Sequence, residues 1–165
     1  MKGKQNMNRV RLVARKFTLG IVAAVCCFAF SGCVYEVPIT SKPTRKVDER
    51  LLGTWTSKDG KNKMKVVRLD GSNYIVSYNG DLFRAYHSDV AKTPFVSVQI
   101  LDSAKPKYAY SAWKLSGDGT LVGRGVSDKV IPDETKDSAS VQKLLEKNLQ
   151  NPELFEDEAQ FTKDK

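Results

Sequence analysis

From Leu51 onward the chain alternates apolar and polar residues in short runs, each ending at a turn signal. KDGK at 58–61, LDGS at 69–72, YNGD at 78–81 and SGDG at 116–119 place Asp-Gly or Asn-Gly between the runs. Those dipeptides tolerate the positive φ of tight hairpin turns, so the flanking runs read as antiparallel neighbours. The pattern predicts strands at about 52–57, 63–69, 73–79, 82–87, 94–101, 107–115 and 120–126. Val96, Val98 and Ile100 alternate with Ser97 and Gln99, a half-buried face at period two. Tyr74, Val76 and Tyr78 repeat it, as do Tyr108 and Tyr110 opposite Ala109, Ser111 and Trp113. The period then changes. In KDSASVQKLLEKNLQNP, Asp137 and Ser138 are capping candidates, Val141, Leu144, Leu145 and Leu149 share one face, and Asn151 precedes Pro152. This predicts one helix at about 138–150, followed by a turn carrying Leu154 and Phe155 inward and a short strand through Phe161 that pairs back on an edge strand. The fold class expected is mainly β: an antiparallel up-and-down meander forming a barrel or half-barrel, with one C-terminal helix and a closing strand.

The start of the chain follows another pattern. Lys2, Lys4, Arg9, Arg11, Arg15 and Lys16 are basic with no acid among them, and FTLGIVAAVCCFAF at 17–30 carries no charge. That is the basic and apolar order of a secretory signal peptide, and it is shorter than the ~20 apolar residues of a spanning helix. All three cysteines, Cys26, Cys27 and Cys33, fall in one eight-residue stretch. FSGC at 30–33 resembles the lipobox of bacterial lipoproteins, in which small residues precede a cysteine that receives lipid on its sulfur and becomes the new N-terminus. Phe30 stands where that family usually has an aliphatic residue. Cys26 and Cys27 lack a small residue directly before them and read as apolar members of the leader. The resemblance implies lipidation at Cys33, a membrane partner through the lipid, and an address in the cell envelope. With Val34 rather than Asp next, it implies the outer membrane, facing the periplasm, in a Gram-negative cell.

The expected organisation is a signal peptide at 1–32, the lipidated cysteine and an extended tether at 33–46, and the β domain at 47–165. VYEVPITSKPTRK at 34–46 has two prolines and a basic cluster, the composition of a solvated linker with a reach of roughly 40 Å at ~3.3 Å per residue. Processing also alters the charge. The formal +8 includes the six basic leader residues, and what remains has 21 basic against 19 acidic side chains. No basic excess is left for nucleic acid, and one cysteine forms no intramolecular disulfide.

LLGTW at 51–55 resembles the Gly-x-Trp motif that opens the first strand of lipocalins, and Arg124 in the last meander strand sits where that family has an arginine stacked on the tryptophan. The late helix and closing strand match as well. The resemblance implies structural roles for Gly53, Trp55 and Arg124: close chain approach at Gly53, and a barrel end plugged by Trp55 under a cation–π contact from Arg124. This chain departs from the pattern in having seven meander strands before the helix and no Thr-Asp-Tyr motif in the middle. It is also similar to uncharacterised small bacterial lipoproteins with such domains.

Site chemistry is sparse. His87, the one histidine, neighbours Ser88 and Asp89, but adjacent strand residues point to opposite faces, which argues against a nucleophile and base pair and for a surface strand end. Neither a zinc nor a calcium ligand pattern is present, phosphate-binding glycine loops are absent, and no cofactor is called for. The reading is therefore binding rather than catalysis. Tyr74, Tyr78, Tyr86, Tyr108 and Tyr110 are the candidate ligand-binding residues, able to converge in a barrel and present ring faces and hydroxyls to a small apolar or amphiphilic molecule. Trp113, on the opposite face from Tyr108 and Tyr110, is expected under the helix. The rival expectation is a protein-interaction or envelope-maintenance module, for instance a hydrolase inhibitor.

Overall fold

The computed structural model describes residues 34–165. Cys33 and the leader at 1–32 lie outside the described residues. Eight strands follow in order: β1 Gly53–Ser57, β2 Lys63–Arg68, β3 Tyr74–Tyr78, β4 Asp81–His87, β5 Val96–Ile100, β6 Lys107–Leu115, β7 Thr120–Val126 and β8 Phe155–Lys163, with helix α1 Ser138–Lys147 before the last. Each strand pairs antiparallel with the next, and β8 closes the barrel by pairing with both β7 and β1. The meander of seven leaves two open edges, and the strand after the helix removes both, which is the physical purpose of closure. The up-and-down, lipocalin-like barrel expected from the sequence is the fold observed.

The hairpins follow from local chemistry. At β3–β4, Asn79 (φ 49°) and Gly80 (φ 103°) form the two-residue turn that needs positive φ at both positions. Helix α1 starts where Asp137 accepts a hydrogen bond from the Ser140 amide. It ends earlier than the sequence suggests. Asn148 leaves the helical region, and its side-chain amide donates to the Leu144 carbonyl, while Asn151 caps a separate 3₁₀ turn, Pro152–Leu154.

Alternation along the strands divides the apolar residues into two cores. Inside the barrel lie Trp55, Met64, Val66, Tyr74, Val76, Tyr78, Phe83, Ala85, Val96, Val98, Ala109, Leu121 and Phe161. Outside it, Tyr110, Ala112 and Val126 from β6 and β7 meet Val141 and Leu145 of α1, together with Phe95, Val130, Ile131 and Leu154. The third component of this outer layer is the N-terminal segment. Tyr35 and Ile39 are fully buried there, and Tyr35 exchanges two backbone hydrogen bonds of 2.8 Å with Tyr108. The solvated tether expected at 34–46 is thus corrected to a strap laid across the barrel wall. Its two apolar anchors outweigh the linker-like composition around them.

Candidate functional site

The barrel has two distinct ends. One is capped: the 3₁₀ turn Glu49–Leu51 crosses it, and Trp55, 1% exposed, donates its indole N–H to the Leu51 carbonyl at 2.9 Å. Gly53 adopts φ 134°, and a Cβ there would stand 2.6 Å from Lys163 Cε. The atoms nearest that position all belong to the Lys163 side chain, and the Trp55 indole is buried at this end. Arg124 is not the cation beside it. Residue 124 pairs with Ala112 on the outer face of β7, so its guanidinium lies 4.3 Å over the Phe155 ring, outside the barrel. Lys163 takes the place instead, its ammonium 5.5 Å from the centre of the Trp55 ring and donating to the Arg50 carbonyl.

The five tyrosines do not converge. Tyr74 and Tyr78 point inward, while Tyr86, Tyr108 and Tyr110, displaced by one residue in the alternation, face outward under the strap and helix. The outer hydroxyls serve the strap. Tyr86 donates to the Thr40 carbonyl, Tyr110 to the Val37 carbonyl and Tyr35 to the Ile131 carbonyl, at 2.6–3.0 Å. Irregular backbone laid on a sheet has carbonyls without ladder partners, and buried phenols satisfy them. Burial pushes the hydroxyls of Tyr74, Tyr78, Tyr86 and Tyr110 above the usual phenol range, so all four remain protonated donors. Trp113 is also reversed from expectation: it points into the barrel, its ring 6.2 Å from that of Tyr74.

The interior cavity is small, about 50 Å³, and is lined by Met64, Val76, Tyr78, Val98, Ser111, Trp113, Leu121 and Phe161. It owes its existence to β7. The inward positions of that strand are Leu121, Gly123 and Gly125, and the two glycines leave space where other strands carry larger side chains. A Cβ on Gly123 would meet only Trp113 Cδ1, at 4.0 Å.

His87 is the second feature, and sequence reasoning misplaced it. It is 8% exposed, inside the capped end, with Nε2 3.0 Å from the Tyr74 hydroxyl, which also accepts from the Asp48 amide at 2.6 Å. Its Nδ1 is buried without a partner, as is one oxygen of Asp89, whose other oxygen pairs with Arg45. Burial, then the charge of Arg45, holds the imidazole below its ordinary range. Ser88 sits on the opposite side, in a chain of hydroxyls running from Thr40 through Ser88 to Ser97 with both O···O distances 2.8 Å. His87 and Ser88 are therefore separated by the wall, as the alternation argument requires. The strap runs past this corner, where the Thr44 amide donates to the His87 carbonyl and the Val47 amide to that of Gly71.

Among the described residues no cluster of three or more His, Cys, Asp or Glu is placed to hold a metal, and no helix is long and apolar enough to cross a membrane. No family model, curated protein or solved structure matches the chain.

Proposed function

We propose that this chain is a lipid-anchored envelope protein whose barrel serves as a rigid scaffold and binds a macromolecular partner at its outer surface, without catalysis of its own. The anchor part rests on the basic, apolar and small-residue order that ends at Cys33. The observation that carries the binding part is the filled interior. A cavity of about 50 Å³ is a fraction of the ~150 Å³ that admits benzene and of the ~300 Å³ at which ligand pockets begin. Against catalysis stands the setting of His87: its Nε2 is hydrogen-bonded to the Tyr74 hydroxyl, while Ser111, two strands away on the same face, gives its hydroxyl to the Arg124 carbonyl. The small-ligand reading keeps one supporting feature, the inward glycines of β7, and requires the barrel to widen around them.

Two measurements test this. Cys33→Ser is expected to leave the precursor uncleaved and unlabelled by palmitate analogues; normal labelling would remove the anchor. Cross-linking in envelopes followed by capture of the full chain is expected to yield a protein partner, while native mass spectrometry after mild extraction shows a barrel without adduct. A stoichiometric small-molecule adduct would return the carrier reading to first place.

A further inference from the structure

The strap and α1 cover β6 and β7 around Tyr110 and Val126, and the Tyr86 and Ser97 end of β4 and β5. The outer face of β2, β3 and the first half of β4 has no such cover. Of the five exposed large apolar side chains among the described residues, four lie on this face or at its border: Val67, Leu69, Leu82 and Leu101. The register joins them. Val67 pairs with Ile75, the next outward row pairs Ser77 with Leu82, and the Leu101 amide donates to the Leu82 carbonyl, so an apolar line crosses the sheet diagonally. Basic groups flank it. Lys65 pairs with Ser77 on one side of the line and Arg84 with Ile75 on the other, and Lys63 stands two residues from Lys65. None of the three bases is in an ion pair, and no outward position of β1–β4 is acidic. Asp70 and Asp81 lie at the bounding turns, and Asp70 is occupied by the Ser72 and Asn73 amides.

The far side of the barrel carries the reverse. In the closed ring β3 and β7 stand four places apart whichever way round is counted. There the end of α1, the 3₁₀ turn and β8 enclose a surface hollow whose lining includes Leu149, Pro152, Phe155, Glu156 and Glu158, with Glu153 exposed at its lip. Arg124 is the one base in that lining, and its guanidinium is engaged over the Phe155 ring. Lys58 and Asp59, in the adjoining hollow, offset each other in charge. An exposed apolar line with basic flanks is complemented by an apolar floor with an acidic lip, and this chain carries both.

We propose that the β2–β4 face of one copy docks in the α1–β8 hollow of a second copy, with Val67 and Leu82 on the apolar floor and Lys63, Lys65 and Arg84 against the acidic lip. The two surfaces differ and lie on opposite sides, so the contact is heterologous: every pair leaves one face and one hollow free, and assembly continues as a chain or closes as a ring. This inference deepens the surface-binding reading by naming the partner as the chain itself, and the test separates the two.

The full chain is expressed with the photo-cross-linking residue benzoylphenylalanine in place of Val67 or, as control, of Gly117, where a Cβ meets nothing within 4 Å. Illumination of the cells is expected to give adducts at multiples of the chain mass from position 67 and none from 117, with peptide mapping placing the link in residues 149–158 of the second copy. Lys63→Glu with Lys65→Glu should lower these adducts about fivefold or more, and adding Glu153→Lys and Glu158→Lys to the same chain should restore them. All four positions are exposed, and circular dichroism of the extracted variants checks their fold. Absence of homotypic adducts, a link that maps to the other copy's β2–β4 face, or a loss that the second reversal does not restore overturns the self-docking. Adducts of position 67 with a different protein overturn it as well and leave the surface-binding reading standing. Absence of any protein adduct here, together with no partner captured by general cross-linking, removes both.

Discussion

Inside the barrel, the core is built from residues two apart on neighbouring strands, and almost every contact is apolar. The layer over β5–β7 is assembled differently. It joins the strap at 35–40 to α1 and to residues near Leu154, so its closing contacts span about a hundred residues, as in the hydrogen bond from Ser138 to the Pro38 carbonyl. It also carries the polar fastening: three phenol-to-carbonyl bonds, a stacked Tyr35–Tyr110 pair with ring centres 4.1 Å apart, and the Thr40–Ser88–Ser97 hydroxyls. The difference teaches that the barrel is the autonomous unit, closed by its own ladder, and the outer layer is a clasp that fixes where the chain enters. Local opening should therefore begin in the clasp.

The largest effect that tests this division is at the capped end. Trp55→Ala removes a fully buried indole and its bond to Leu51, and is expected to cost about 3–5 kcal/mol by denaturant titration, with loss of the whole barrel in one transition. A cost under ~1 kcal/mol would mean that Trp55 does not seal the end. Ile39→Ala acts on the other region, where a buried aliphatic truncation costs about 2–5 kcal/mol. Its expected signature is selective. Limited tryptic cleavage after Arg45 and Lys46 should accelerate while the near-ultraviolet signal of Trp55 and Trp113 stays native. Simultaneous loss of both signals would merge the two regions into one cooperative unit.

The contrast also explains what the sequence disclosed. Interior strands were legible because Asn79-Gly80 and the alternating runs are local signals, and the closing strand was legible in part, around AQFTK, because a strand after a late helix pairs back on an open edge; its acidic first half, from Phe155, was not. The side each residue faces was not. Tyr74 and Tyr110 carry the same pattern in their own strands, yet one faces inward and the other outward, because parity is set by register around the closed barrel. The same parity places Arg124 on Phe155 and leaves Lys163 to cover Trp55. The turn at Ala91 and Lys92 was equally hidden, since both hold positive φ without being glycine or asparagine, in a tight turn closed by the Val90–Thr93 bridge. The strap was missed for another reason: its burial depends on partners far along the chain, and its own composition is that of a linker.

A smaller effect should appear at the seam between the regions. His87 faces Tyr74 from β3, Asp48 and Arg45 from the strap, and Asp89 beyond β4. Its native pKa lies below the ordinary 6.5. Above that value the imidazole is neutral in both folded and unfolded chains and imposes no penalty. As pH falls below it, the unfolded chain takes up a proton that the folded site refuses, so stability declines until pH passes the native pKa and is flat thereafter. Stability curves at pH 7.5 and 5 should differ less in His87→Gln, whose amide still offers Tyr74 an acceptor. An unchanged difference would assign the pH dependence to other groups.

The smallest effect concerns the cavity, and its sign decides how the interior is to be understood. Gly123 faces the void, and its φ lies outside the left-handed region that only glycine adopts readily. Alanine there restricts the unfolded chain and fills part of the space, meeting Trp113 at ordinary contact distance, so Gly123→Ala is expected to stabilise the barrel by about 0.4–1 kcal/mol. If the interior is only scaffold, partner capture from envelopes should be unaffected by the substitution. If stability rises while binding falls, the two glycines of β7 keep room for a molecule that enters when the barrel widens, and the carrier reading gains the evidence that a 50 Å³ void does not give it.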